Sequence, residues 1–274
     1  MIPFVKMHGL GNDFVVIDSR RDAVAIGDAQ ARAIADRKEG VGCDQLITIE
    51  PAQNGGAAFM RIRNADGGEV EACGNAARCV AEILMAESGA DKVAFETVVG
   101  LLEARVAEDG LITVDMGPAR TAWDAIPLAH EADTLHLDVS HAGLGDPVAV
   151  NIGNPHMVFF VPDAEAVDLP AIGPVLEHHA LFPERTNVEV ATVQPDGSIR
   201  MRVWERGVGI TRACGTGACA TLVAAARREL SSRCAVVRLD GGPLTIEWRT
   251  DGHVDMTGPV ATSFTGTLDE TRLP

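Results

Sequence analysis

Two cysteines each stand at the point where a helix is expected to begin. Cys73 precedes Gly74-Asn75, Cys214 precedes Gly215-Thr216, and an alanine-rich apolar run follows each pair. The first N–H groups of a helix lack partners within the helix and carry the positive end of its dipole. A thiol there is expected to have a lowered pKa, and the same N–H groups can bind a carboxylate. The pattern predicts two acid/base thiols, each beside a carboxylate site whose glycine admits a ligand close to the backbone.

The two cysteines belong to an internal repeat. Equivalent segments recur at offsets of 140 to 142 residues: Gly11-Asn12 with Gly153-Asn154, Gln45 with Asn187, Met60–Ile62 with Met201–Val203, Cys73-Gly74 with Cys214-Gly215, and Val114–Met116 with Val254–Met256. Landmarks in the same order at a nearly constant offset indicate a duplicated domain. We therefore expect one half over residues 1–118 and a second over 119–260, with the 261–274 tail joining the first half.

Each half has the same pattern of elements. Short apolar runs predict strands at 14–17, 46–49, 157–161 and 188–191. Longer apolar runs predict one buried helix per half, over 74–88 and 215–230. The expected fold class is α+β, with two pseudo-symmetric, strand-rich domains.

A duplication of this kind would place the two helix starts face to face. Inverting a stereocentre requires removing a proton from one face and delivering one to the other, which two opposed thiols can do when one of them is a thiolate. The sequence therefore predicts an amino-acid racemase or epimerase that uses Cys73 and Cys214. The other four cysteines (43, 79, 219 and 234) are expected to be small buried apolar residues.

Several polar residues are candidates for ligand contacts. Five asparagines in glycine-rich corners recur at matching places in the halves: Asn12, Asn64, Asn75, Asn154 and Asn187. Asparagine is common in turns, but the matching positions favour binding. Glu205-Arg206 stands opposite Asn64-Ala65 and breaks the symmetry, as a nonsymmetric substrate requires, and Arg206 could hold a second carboxylate. His156 could tune a nearby thiol.

Composition excludes several classes. A net charge of −16 argues against nucleic acid as a partner, and no apolar run is long enough to span a membrane. The N-terminus does not resemble a signal peptide, so a cytoplasmic location is expected. The chain has three lysines, none in a pattern typical of pyridoxal phosphate, and neither a P-loop nor a zinc pattern of cysteines. We expect no cofactor and no metal.

At these residues the sequence resembles the diaminopimelate epimerase family. The matching segments cover nearly the whole chain in family order: 8–14, 40–45, 64–67, 73–75, 153–156, 186–189, 205–209 and 213–217. The resemblance implies PLP-independent interconversion of LL- and meso-2,6-diaminopimelate, a step of lysine and peptidoglycan precursor synthesis. It also implies two pseudo-symmetric domains, each a mixed strand barrel around a central helix, and a homodimer. The other expected partner is the small-molecule substrate.

The resemblance also implies roles for individual residues. Cys214 would accept the proton in the LL-to-meso direction and Cys73 would donate one, with the roles exchanged in reverse. His156 and Glu205 would tune thiol protonation. The residues implied in substrate binding are Asn12, Gln45, Asn64, Gly74, Asn75, Asn154, Asn187, Glu205, Arg206, Gly215 and Thr216. The chain has no tyrosine, so a dimer contact made by tyrosine near the C-terminus would have to use another residue such as Phe264.

Three alternatives share parts of this pattern. A proline or histidine racemase would have both cysteines but no use for Asn64 and Arg206 as readers of a distal amino-acid group. A noncatalytic relative usually lacks one or both cysteines. A redox protein could join Cys73 and Cys214 in a reversible disulfide.

Overall fold

The computed structural model describes residues 1–70 and 73–274. The chain divides into two compact units, Met1–Val114 with Gly258–Pro274, and Asp115–Thr257. These borders lie a few residues from those expected from the repeat. Both units are built mainly from strands with fewer helices, and the predicted α+β class is confirmed.

The elements are numbered here in chain order. The α-helices are α1 (Asp28–Ala35), α2 (Gly74–Ser88), α3 (Leu169–Glu177) and α4 (Gly215–Arg227). The strands are β1 (Ile2–Gly9), β2 (Asn12–Asp18), β3 (Gln45–Glu50), β4 (Phe59–Asn64), β5 (Glu69–Val70), β6 (Lys92–Thr97), β7 (Gly100–Val106), β8 (Ile112–Pro118), β9 (Ser140–His141), β10 (Leu144–Gly145), β11 (Val148–Asn151), β12 (Pro155–Phe160), β13 (Asn187–Val193), β14 (Ile199–Glu205), β15 (Gly209–Ile210), β16 (Cys234–Leu239), β17 (Gly242–Trp248), β18 (His253–Gly258) and β19 (Ala261–Leu268).

In the first unit, most strands pair with their neighbours along the chain, and two of the pairings are parallel. β1 pairs with β2 antiparallel, and β2 pairs with β3 in parallel through a crossover that contains α1. β3, β4 and β5 are antiparallel neighbours, and β4 also pairs with β6 in parallel. β6, β7 and β8 complete the order as antiparallel neighbours, and the tail strand β19 pairs with β1.

The second unit repeats this order. β11 is antiparallel to β12, and β12 is parallel to β13 through a crossover that contains α3. β13, β14 and β15 are antiparallel neighbours, β14 is parallel to β16, and β17 and β18 follow in antiparallel order. The register repeats as well, because Phe14 lies opposite Gln45 as His156 lies opposite Asn187. Backbone pairing thus relates the halves independently of sequence identity.

The helices that follow the two cysteines are buried against these strands. α2 contacts β1, β2, β6 and β7, and α4 contacts β11 to β14, β16 and β17. α2 has the predicted bounds, because Gly89 ends it in the left-handed conformation at φ 68°. α4 ends three residues before the predicted Leu230. Glu229 takes a positive φ of 57°, and the Leu230 N–H donates to the Ala225 carbonyl, a helix-ending turn that sequence periodicity does not reveal.

Two helices and one cysteine differ from the sequence interpretation. α1 was not predicted, nor was α3, whose Pro170, Gly173 and Pro174 read as helix breakers. α3 forms because the Asp168 side chain caps its N-terminus and because Gly173 lets it approach the Trp204 ring, where a Cβ would come within 2.4 Å. Cys234, expected to be buried, is exposed at the start of β16. Within the described residues, no helix is long and apolar enough to cross a membrane.

Candidate active site

Cys214 is the N-cap residue of α4 and is almost completely buried, with 5% of its surface exposed. Its Sγ accepts a hydrogen bond from the Gly217 N–H at 3.3 Å and lies 3.5 Å from the Thr216 hydroxyl. The thiol therefore takes the capping position that a serine or aspartate often occupies. Gly215 follows as the first helical residue, as the sequence predicts.

Two carboxyl groups act on Cys214. Glu205, at the end of β14, is hydrogen-bonded to the Thr211 hydroxyl and to Cys214. Burial raises the pKa of the Cys214 thiol well above its usual value, and the charges of Glu205 and Glu189 raise it further. The contacts from Thr216 and Gly217 oppose this shift but are outweighed. The expected lowering of the pKa at a helix N-terminus is therefore wrong for Cys214, because burial and like charge exceed the effect of the helix end.

Burial also raises the pKa of the Glu205 carboxyl, and the charge of Glu189 adds to that effect. Hydrogen bonds from Thr211 and Cys214, together with the charge of His156, act in the opposite direction. Glu205, His156 and Cys214 are therefore close enough to influence one another. This is the environment that a residue tuning thiol protonation requires.

His156 lies in β12 and is fully buried. Its Nδ1 is 2.7 Å from Oε1 of Glu189, and its Nε2 is 2.9 Å from Oδ1 of Asn154. Asn154, in the turn between β11 and β12, thus has its side chain oriented by the imidazole. The structure places both predicted residues in the same cluster as Cys214.

Asn187 and Arg206 are engaged with backbone groups. Asn187 is buried, donates to the Pro155 carbonyl at 3.2 Å and accepts from the Arg206 N–H at 2.8 Å. The Arg206 guanidinium donates to the Glu184 carbonyl at 2.9 Å. Asn187 thereby holds the turn that carries Arg206, and the half-buried Arg206 side chain keeps part of its surface exposed.

In the first unit, Cys73 is the N-cap residue of α2 and is half-buried. Its Sγ lies 3.7 Å from Oδ1 of Asn12, which also accepts from Nδ2 of Asn75 at 3.1 Å. The other end of the Asn12 amide donates to Asp44 at 3.0 Å. The thiol therefore lies beside an amide that two hydrogen bonds hold in place, and Gly74 is the first residue of the helix.

Gln45 and Asn64 lie directly opposite each other on β3 and β4. The Gln45 amide donates to Oδ1 of Asn64 at 3.0 Å. The structure thus joins two predicted binding residues into one hydrogen-bonded pair, at the ends of their strands.

Sequence reasoning missed two buried charged residues. Arg78 in α2 is fully buried and donates to Oδ1 of Asn75 at 2.9 Å. Glu189 in β13 is also fully buried. A charged residue within an otherwise apolar helix face or strand is the signal that would have identified both, since such residues are seldom buried without a specific partner. Among the described residues, no group of three or more acidic, histidine or cysteine side chains is arranged to hold a metal ion.

Known proteins resemble this chain over nearly its whole length. The model of the family described as diaminopimelate epimerase matches residues 4–122 and 148–262. A diaminopimelate epimerase of Rhodospirillum centenum is 62% identical over 272 residues, covering 99% of this chain and 94% of the relative. One from Acidiphilium cryptum is 53% identical over 271 residues, covering 99% and 98%.

Solved structures with low sequence identity have the same fold. A hydroxyproline epimerase from Agrobacterium vitis has a TM-score of 0.67 at 17% identity, covering 97% of this chain and 91% of the other. A phenazine biosynthesis protein of the PhzF family from Bacillus anthracis has a TM-score of 0.69 at 13% identity, covering 97% and 98%. With nearly full-length matches to the family model and to close relatives, this chain belongs to the diaminopimelate epimerase family.

Proposed function

We propose that this protein interconverts LL- and meso-2,6-diaminopimelate by moving one α-proton between Cys73 and Cys214, without a cofactor. The observation that carries the proposal is the repeated placement of a cysteine at the N-cap of the buried helix in each unit. In the proposed reaction both thiols address one α-carbon from opposite faces. This requirement follows from inversion of a stereocentre and is part of the proposal.

In the meso-to-LL direction, a Cys73 thiolate removes the α-proton and the Cys214 thiol delivers one to the other face. The raised pKa of Cys214 supports this role, because it keeps the thiol protonated before reaction. In the LL-to-meso direction, Cys214 must first lose its proton. The Glu205 carboxylate, hydrogen-bonded to that thiol, is the group positioned to accept it.

The α-carbanion formed between these steps needs its negative charge stabilised. We assign this task to the first N–H groups of α2 and α4, at Gly74, Asn75, Gly215 and Thr216, which would bind the α-carboxylate at the reacting centre. Exclusion of water around the buried Cys214 side strengthens these interactions.

The remaining amides and Arg206 would recognise the substrate's distal end. Asn64, paired with Gln45, and Arg206, on the turn held by Asn187, offer hydrogen-bonding groups for a second amino-acid centre. Asn12 and Asn154, each oriented by a neighbouring side chain, would contact groups nearer the reacting carbon.

The cellular setting is proposed along with the reaction. A cytoplasmic enzyme that supplies precursors for lysine and peptidoglycan fits this substrate. A homodimer is proposed from the family resemblance, with the half-exposed Phe264 of β19 as a contact residue in place of a tyrosine.

The test is incubation of the reduced protein with LL-diaminopimelate in D₂O, without added cofactor. Deuterium at the α-carbon and meso product are expected together. Cys73→Ala and Cys214→Ala should each lose epimerisation by about 10³-fold or more. Each single-thiol variant should still exchange deuterium into one diastereomer, LL for Cys73→Ala and meso for Cys214→Ala, since the remaining thiol serves one face.

Absence of exchange in the wild-type protein would overturn the diaminopimelate assignment. Proline and histidine, tried next, would then identify a racemase of different specificity on the same fold. Full activity in either cysteine variant would exclude the two-thiol mechanism.

A further inference from the structure

Glu189 is a buried carboxyl group in a strand that otherwise needs none. It lies in β13 between Val188 and Val190, and all three residues are fully buried. The equivalent position in the first unit is Ile47, since Ile47 pairs with Val16 as Glu189 pairs with Val158. Ile47 is also fully buried. An apolar side chain therefore satisfies this position of the fold, and a carboxyl group there must be explained by something other than folding.

The contacts of Glu189 are incomplete for a buried carboxyl group. Oε1 is 2.7 Å from Nδ1 of His156, while Oε2 is buried without a hydrogen-bond partner. A buried polar atom left in this state has lost its hydrogen bonds to water without gaining others, which destabilises the fold. Groups that retain such a cost are commonly part of a functional site.

Glu189 also lies beside the reacting thiol. A Cβ on Gly217 would come within 2.9 Å of Oε1 of Glu189 and within 3.2 Å of the Cys214 sulfur. The absence of a side chain at Gly217 therefore leaves room for the carboxyl group next to the first turn of α4. The charges acting on Cys214 come from two neighbouring strands, Glu189 on β13 and Glu205 on β14. His156 on β12 contacts Glu189, and its charge also acts on Glu205.

The hydrogen bonds of His156 define how protons are held in this cluster. Oδ1 of Asn154 can only accept, so Nε2 of His156 carries a proton in this arrangement. A second proton lies between Nδ1 and Oε1 of Glu189, because two unprotonated atoms would not approach to 2.7 Å. The His156–Glu189 pair thus holds two protons, and with the shared proton on Nδ1 it is an imidazolium paired with a carboxylate. Its net charge is zero, but the carboxylate is the end that lies beside Gly217 and Cys214, so the thiol faces a negative charge.

We propose that Glu189 is a positioning residue of the epimerisation: it fixes the orientation and protonation of His156 and, with Glu205, keeps Cys214 in the thiol form before proton delivery. The role rests on the proposed function, because only a two-thiol reaction requires one protonated cysteine at the start. Glu189 acts through His156 and through its charge and need not touch the substrate.

The test is Glu189→Gln, which preserves shape and removes the charge. Alkylation of Cys214 by iodoacetamide, followed by mass spectrometry at pH 7, should become about three- to tenfold faster, because a negative charge beside the thiol has been removed. The rate of Cys73 alkylation in the same sample should not change, whereas a general loosening of the fold would raise it as well. For epimerisation, the fold decrease in kcat should be larger than the fold increase in KM. Glu96→Gln, another buried glutamate but in the first unit, is the matched control and should leave Cys214 alkylation unchanged.

An unchanged rate of Cys214 alkylation in folded Glu189→Gln would overturn the inference. If that variant does not fold, a measurement on the wild-type protein still tests the inference. Nitrogen NMR of its labelled histidines should show one ring with protons on both nitrogens and a strong hydrogen bond at Nδ1. Absence of any such ring would exclude the pair. Neither measurement needs substrate, so failure of the proposed reaction would be seen separately, as lack of exchange in the wild-type protein.

Discussion

Cys73 and Cys214 begin equivalent helices of a duplicated fold, yet the side chains around them differ in charge. Around Cys214 the strands supply Glu189, Glu205 and His156. At the equivalent positions of the first unit, the sequence has Ile47, Asn64 and Phe14. Conversely, the fully buried Arg78 of the first unit corresponds to Cys219 in the second.

The difference separates what duplication supplies from what divergence adds. The repeated strand order delivers two thiols with the same local backbone, each at a helix start. Two thiols in identical surroundings would hold protons equally well. The carboxyl groups of the second unit favour the thiol form of Cys214, and the Arg78 guanidinium of the first unit supplies positive charge to the network around Cys73.

The largest effect is expected from removing the carboxylate at position 205 and from adding one at the equivalent position 64. Glu205→Gln should lower epimerisation by about 10²-fold, because the group that accepts the Cys214 proton is lost. The same variant should make Cys214 more acidic and faster to alkylate, because removing Glu205 relieves a charge that raises its pKa. Asn64→Asp places a carboxylate at the matching position of the first unit and should slow Cys73 alkylation. The epimerisation rate is measured from the ratio of diastereomers over time, and the alkylation rate of each cysteine is measured by mass spectrometry of its peptide.

Glu103→Gln, at an exposed position of β7, is the control for a lost carboxyl group. If Cys214 alkylation in Glu205→Gln is unchanged or slower than in the wild-type protein, charge from β14 does not control this thiol. The comparison between the units would then rest on burial alone.

A smaller effect is expected from Arg78, whose guanidinium donates to Asn75 and so supports the amides beside Cys73. Arg78→Met should slow Cys73 alkylation at neutral pH by about three- to tenfold, as a nearby positive charge is removed. Loss of the buried donor should also lower the free energy of unfolding by about 2–4 kcal/mol, measured in urea. Arg78→Lys retains the charge and should restore most of the alkylation rate while recovering less stability.

Unchanged reactivity of Cys73 in folded Arg78→Met would show that Arg78 serves packing alone. Cys214 in the same protein is the internal reference. Its alkylation should not respond, because the two charges that raise its pKa most, Glu205 and Glu189, both lie in the second unit.

How much of the structure can be predicted from the sequence depends on whether the interactions that determine it are local or tertiary. The bounds of α2 were predictable because Gly89 marks its end locally, and the cysteines were recognisable from the helix starts that follow them. The thiol chemistry of Cys214 was not, because its pKa depends on burial and on Glu189 and Glu205, which reach it from separate strands. A local motif predicts the effect of the helix end, while the larger opposing effects come from tertiary structure.

The same limit applies to α3 and to the repeat. The prolines of α3 indicate a loop when read locally, and the helix forms because of a cap at Asp168 and close packing of Gly173 on Trp204. The duplication, by contrast, was visible from identity at a constant offset, and strand pairing in each unit reproduces it. Where pattern and tertiary contacts favour the same structure, the sequence was sufficient.

The smallest effect on catalysis is expected from the corner that holds Asn12. In the first unit this corner carries an ionic cluster in which Asp13 pairs with Lys6 and with Arg37, the latter at 2.6 Å. Burial alone would raise the pKa of Asp13, but hydrogen bonds from Arg37 and Lys6 hold it well below the usual value. The equivalent corner of the second unit has Pro155 at this position and relies on His156 to orient its asparagine.

Asp13→Asn should therefore leave kcat within about twofold and lower the free energy of unfolding at pH 7 by about 1–2 kcal/mol. Because the folded pKa is depressed, this stabilisation is present above the unfolded value near 4 and is lost as pH falls below it. The difference between wild type and variant, followed by urea unfolding from pH 7 to pH 3, should shrink on the acid side. Asp22→Asn, an exposed aspartate of the same unit, should show no such difference. A constant gap across this pH range would mean that the Asp13 side chain stabilises the corner through its shape and hydrogen bonds, and that the ionic difference between the two corners has no energetic consequence.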